Sequence, residues 1–188
     1  LLRDGRAVVE SNVRSFGARY ETQMRNWAWA TRTIVQTLSD SGADSPFCVV
    51  RYEDLLQSPE TELRRLLDFT GLDSERFDFE RARNMPVRGS STFQRGEEGV
   101  DWEPTARTED FQPLRRWRDW GSGRHDRFNW LAGSEMEAVG YELTGPSAGT
   151  LHVLRNRAKD VVWRLGAARR RQSAAQRRAD REASLVDD

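Results

Sequence analysis

The chain has 188 residues, with 30 basic and 30 acidic side chains and a formal net charge of zero. That length fits one domain with an appendage, and 37% apolar residues exclude wholesale disorder and collagen-like structure. The single cysteine, Cys48, excludes an internal disulfide and a cysteine-rich zinc site, and two histidines, His125 and His152, leave little for any other metal. No apolar run approaches the roughly 18 residues that cross a membrane.

In chain order, Leu1-Leu2 reads as the end of a strand. The absence of an initiating methionine reads as a chain cut at its N-terminus, and with no signal-peptide pattern the compartment expected is cytoplasmic. Residues 6–20 and 22–38 read as helices, the second carrying Met24, Trp27, Ile34 and Leu38 on one face. Ser41 to Pro46 is a loop by its turn residues, and residues 47–52 form an apolar run that predicts a buried parallel strand. Ser58-Pro59-Glu60 predicts a capped helix start, with Leu63, Leu66 and Leu67 on its inner face and Gly71 at its end. Residues 84–110 lack periodicity and read as a long loop. Residues 111–141 predict short helices with Trp117, Trp120, Phe128, Trp130 and Leu131 in the core, and residues 151–183 predict one long helix.

Charge divides the chain. Residues 145–188 carry ten basic and five acidic side chains, a net of +5 that residues 1–144 balance. Gly145-Pro146 marks the boundary between a domain over 1–144 and a basic helical tail over 145–188. Lys159 is the sole lysine among the basic residues. Arginine suits anion recognition, because its planar fork bonds an oxyanion through two donors.

Three segments carry candidate chemistry. In Arg3-Asp4-Gly5-Arg6, an arginine leaves an extended segment, and Ser11 follows it on the next helix. The two side chains and the helix-start amides can converge on one phosphate, although such a segment alone is more often a plain turn with a salt bridge. Tyr52, at the end of an extended segment, can stack on or bond a base, or else cap the core while Glu53 and Asp54 start a turn. Ser90, Ser91, Arg95 and Gly96 lie in the long loop, where hydroxyls, a cation and a permissive glycine suit either an anion or solvent. Cys48 reads as a buried inert thiol, and His125 as a surface or helix-end histidine.

Together, RDGRAVVES, RYEDLLQSPETELRRLLDFTGL and GSSTFQRGEEGVDW resemble the sulfotransferases that use 3′-phosphoadenosine 5′-phosphosulfate (PAPS), over roughly residues 1–144. The resemblance implies an α/β fold, a partial parallel sheet flanked by helices and similar to P-loop nucleotide kinases. It implies PAPS as co-substrate with no metal, and transfer of a sulfuryl group to a hydroxyl or amine acceptor. Arg3, Ser11, Ser90, Ser91, Arg95 and Gly96 match the 3′-phosphate contacts, and Tyr52 the adenine contact. The phosphosulfate loop and catalytic base of that family precede the RDGR element, so the catalytic residue is unknown and this chain alone is expected to be inactive. Two alternatives are a relative that binds nucleotide without turnover, and an arginine-rich interaction protein. In the latter the tail would touch an anionic membrane or a partner, with nucleic acid the less favoured target given the zero net charge.

Overall fold

A computed structural model describes residues 1–42, 45–86, 113–145 and 149–184, with side chains through residue 168. The chain divides into two compact units, Leu1–Thr144 and Gly145–Asp188.

The described part of the first unit is helical: α1 (Gly5–Phe16), α2 (Tyr20–Ser41), α3 (Tyr52–Gln57), α4 (Pro59–Phe69), α5 (Phe79–Arg83) and α6 (Ser122–Ala138), with a 3-10 turn at Ser74–Arg76. Asp4 starts α1: its carboxylate accepts the Arg6 backbone N–H at 2.8 Å, satisfying one of the first-turn donors. Gly17 ends the helix in the left-handed region, φ 59°. In α2, the buried residues Met24, Trp27, Ala28 and Thr31 follow the i, i+3, i+4, i+7 spacing of one helix face. Ile34 and Leu38 continue that face, half-buried, and line a pocket of about 210 Å3 with Phe47 and Cys48. Pro59 opens α4 with Glu60 and Glu62 in the first turn, and Gly71 follows it at φ 70°. Ser58 makes no side-chain cap there.

Helices α1, α2 and α6 enclose the core, in which Phe128, Ala132 and Met136 of α6 meet Val9 of α1 and Met24 and Trp27 of α2. Phe128 lies 5.9 Å, centroid to centroid, from both Trp27 and Trp120, tilted against each. Ion pairs run along the α2–α6 seam, Arg127 with Glu21 and Arg32 with Glu135. Residues 122–138 form one helix rather than the several short ones that the sequence suggested.

The expected parallel-sheet α/β architecture, with its likeness to P-loop nucleotide kinases, is overturned. No strand occurs among the described residues; the two segments read as strands meet in a single parallel bridge, Leu2 with Arg51. Leu2 N–H donates to the Val50 carbonyl and Tyr52 N–H to the Leu2 carbonyl, each at 2.7 Å. The ladder stops after one rung because both segments turn helical beside it: α1 begins at Gly5 and α3 at Tyr52. Periodicity cannot separate a short apolar strand from a short apolar extended segment. Burial also differs from that of a central strand, since Phe47 is exposed and Cys48 half-buried, and only Val50 of the run is fully enclosed.

Gly5 fixes how closely α1 approaches the aromatic core. A Cβ there would stand 2.6 Å from both the Phe128 and Trp27 rings, and neither buried ring has room to retreat. Gly5→Ala should therefore lower stability by about 1–3 kcal/mol. Gly121→Ala, with nothing near the added methyl, serves as control and should change it little. Denaturant midpoints of the two variants check this, and equal midpoints would contradict it.

Candidate functional site

The bridge at Leu2 places Arg3 beside Tyr52. The Arg3 guanidinium lies 4.8 Å from the centroid of the Tyr52 ring, a cation–π distance. Arg3 also donates to the Pro113 carbonyl, and its own carbonyl accepts from the Trp27 indole at 3.2 Å. Its Nε is buried and has no hydrogen-bond partner among the described residues. Burial lowers the pKa of this arginine, and the nearby Tyr52, Glu53 and Asp4 only partly offset that.

Glu53 fastens the arrangement. One of its carboxylate oxygens accepts the Asp4 backbone N–H at 2.9 Å, and the other accepts the Tyr141 hydroxyl at 2.6 Å. Burial, followed by this carboxylate, pushes the Tyr141 phenol well above its ordinary pKa, so it remains a donor. The Arg51 guanidinium lies over the Tyr141 ring, 4.4 Å from its centroid. Asp4 and Arg6 form a buried ion pair at 2.7 Å, with Arg6 lying 3.8 Å over the Trp117 ring. Within RDGR, then, Arg6 serves the fold, and Arg3 keeps a donor that no described residue matches.

Ser11 stands half-buried on α1, about 9 Å along the axis from the helix start, and no bond among the described residues joins it to Arg3. Ser90, Ser91, Arg95 and Gly96 lie outside the described residues.

Arg116 was not singled out from the sequence. Burial lowers its pKa first, and the charges of Arg3 and Arg14 each lower it further. The only signal for Arg116 was the arginine density of LRRWRDW, a segment of turns without helical periodicity. The arrangement can hold a phosphate against cations and present an aromatic face to a planar ring.

His125 lies near the start of α6, as the helix-end reading had it, but not on the surface: it is buried, with its ring 5.6 Å from that of Trp117 and 5.5 Å from that of Trp120, and its Nδ1 is enclosed without a hydrogen-bond partner among the described residues. Cys48 is half-buried rather than buried, and Arg65 donates to its sulfur at 2.9 Å. Among the described residues, no group of three or more His, Cys, Asp or Glu side chains could hold a metal ion.

Residues 1–76 match the family model for the sulfotransferase family. That stretch contains Arg3, Ser11 and Tyr52 and the whole of the Leu2–Arg51 bridge. The resemblance expected over 1–144 is thus matched over its first part. No curated protein and no solved structure matches the chain.

The buried histidine yields a pH prediction. Burial, then the Arg6 charge, lowers the His125 pKa below its ordinary value of 6.5. Below pH 6.5 the unfolded state therefore binds more protons than the folded one, and stability is lost as pH falls through that region. His125→Phe, which keeps a ring between the tryptophans, should flatten the fall in thermal midpoint from pH 7.5 to 5.5. An unchanged slope would contradict the assignment.

Proposed function

We propose that residues 1–144 bind the 3′-phosphate and adenine of PAPS as part of a sulfotransferase. The observation that carries this reading is the buried Arg3 Nε beside the Tyr52 ring, without a hydrogen-bond partner among the described residues. Support comes from the family match across that segment and from the second desolvated cation, Arg116.

In this reading Arg3 gives the 3′-phosphate a charge-assisted bond and offsets its own desolvation on binding. Tyr52 packs against the adenine while Arg3 braces its ring. Ser11 adds a neutral donor, and Ser90, Ser91, Arg95 and Gly96 close over the phosphate from the long loop. PAPS supplies the sulfuryl group, whose in-line transfer to a hydroxyl or amine depends on positioning and on cations placed where charge develops. The contribution of this chain is positioning: the nucleotide is held by its 3′-phosphate and base, so that its other end has a fixed place. His125, enclosed between two tryptophans, is in no position to take the acceptor's proton.

Calorimetry tests the assignment. Adenosine 3′,5′-bisphosphate should bind the chain, and Arg3→Ala should weaken it by about 1.5–3 kcal/mol. Ser11→Ala should cost less, about 0.5–1.5 kcal/mol, as loss of a neutral donor. AMP, lacking the 3′-phosphate, should hardly respond to either change. Equal losses for the two nucleotides would reject the 3′-phosphate assignment.

A further inference from the structure

The second unit contains α7 (Thr150–Ser184), one face of which carries exposed apolar side chains. Leu151 is 81% exposed and Val162 70%, and Leu154, Val161 and Leu165 each exceed half. At 3.6 residues per turn these five, with the exposed Ala158, fall in one stripe about 100° wide. The stripe is bordered on both sides by cations. Arg155 and Lys159 follow one edge and Arg157 and Arg164 the other, all four exposed. The nearest acidic residue, Asp160, falls on the opposite face of the helix.

An apolar stripe with cationic borders is the arrangement of a helix that lies in a lipid interface. Its apolar side chains enter the acyl boundary, while long cationic side chains extend sideways to the headgroups. A net charge of +5 over residues 145–188 adds attraction to an anionic surface. The helix would lie along such a surface rather than cross it: no helix among the described residues is long and apolar enough to cross a membrane. Self-pairing through the same stripe is disfavoured. Leu151, Leu154, Ala158, Val161 and Leu165 would form the seam, and Arg155, Arg157 and Arg164 would flank it, bringing like charges together across two identical helices.

We propose that α7 is a peripheral docking helix for anionic lipid surfaces, seated by its apolar stripe and selected by its border of arginine and lysine. The proposal does not depend on the nucleotide assignment.

The test is sedimentation of the 188-residue chain with vesicles of equal parts phosphatidylcholine and phosphatidylglycerol, and with phosphatidylcholine alone. Binding should occur with the anionic vesicles at 50 mM salt, weaken several-fold by 200 mM, and be slight with the neutral ones. The double variant L154E/V162E removes apolar contact from exposed positions, so folding should survive, and partitioning should drop about tenfold or more. R157Q/R164Q should reduce binding to the anionic vesicles and flatten its salt dependence. No binding to anionic vesicles at 50 mM salt would overturn the proposal, as would binding indifferent to L154E/V162E. A dimer in sedimentation equilibrium that L154E/V162E dissociates would assign the stripe to a second copy instead.

Discussion

Glu53 is the joint on which the candidate site depends. Its two carboxylate oxygens hold the amide that begins the turn into α1 and the hydroxyl of Tyr141, residues far apart in the chain. With the bridge from Leu2 to Val50 and Tyr52, this fixes the short segment Leu2–Asp4 along residues 50–53. Arg3 has little freedom once its neighbours on both sides are bound. Its guanidinium must then lie near Tyr52, at the cost of burying a cation whose Nε has no described partner. Partly satisfied polar groups in a low-dielectric setting are costly, and one that persists at a fixed place is a candidate for ligand binding.

The same economy of geometry explains how so many arginines fit a small domain. Several sit over aromatic rings: Arg6 over Trp117, Arg51 over Tyr141, Arg64 over Phe79 and Arg124 over Tyr20, each within 4.4 Å of the ring centroid. A planar, weakly hydrated cation can stack in this way and still use its edge donors, which a compact ammonium does less well. Arg6 does both, pairing with Asp4 at its edge. The aromatic core and the cations are thus one construction, and Glu10 joins them from the acidic side. Burial raises its pKa, but bonds from the Trp120 indole, Tyr20 hydroxyl and Arg14 outweigh that, so it stays ionised beside Trp120.

The helices were legible because their signals are local. Met24, Trp27, Ala28 and Thr31 repeat with the helical period, Pro59 and Gly71 bracket α4, and residues 150–184 form the single helix that their spacing indicates. The sheet was misread because an apolar run such as residues 47–50 carries no record of its neighbours, and a ladder exists only where partners continue. Glu53 and Arg116 were missed for a related reason. A carboxylate that accepts bonds from residues 4 and 141 looks, in sequence, like any acidic residue at a helix start, and Arg116 sits in turns without a period. Of the candidate site, Arg3 and Tyr52 could be named in advance because a motif carries them; their being neighbours is a tertiary fact.

The central claim is that the Leu2–Asp4 and Val50–Glu53 segments together hold a nucleotide bearing a 3′-phosphate. Amide hydrogen exchange, with and without saturating adenosine 3′,5′-bisphosphate, addresses it most directly, because it reads those segments residue by residue. The account predicts added protection concentrated at residues 2–6 and 50–54, and much less with AMP. Equal protection by the two nucleotides, or protection that leaves both segments unchanged, would contradict it.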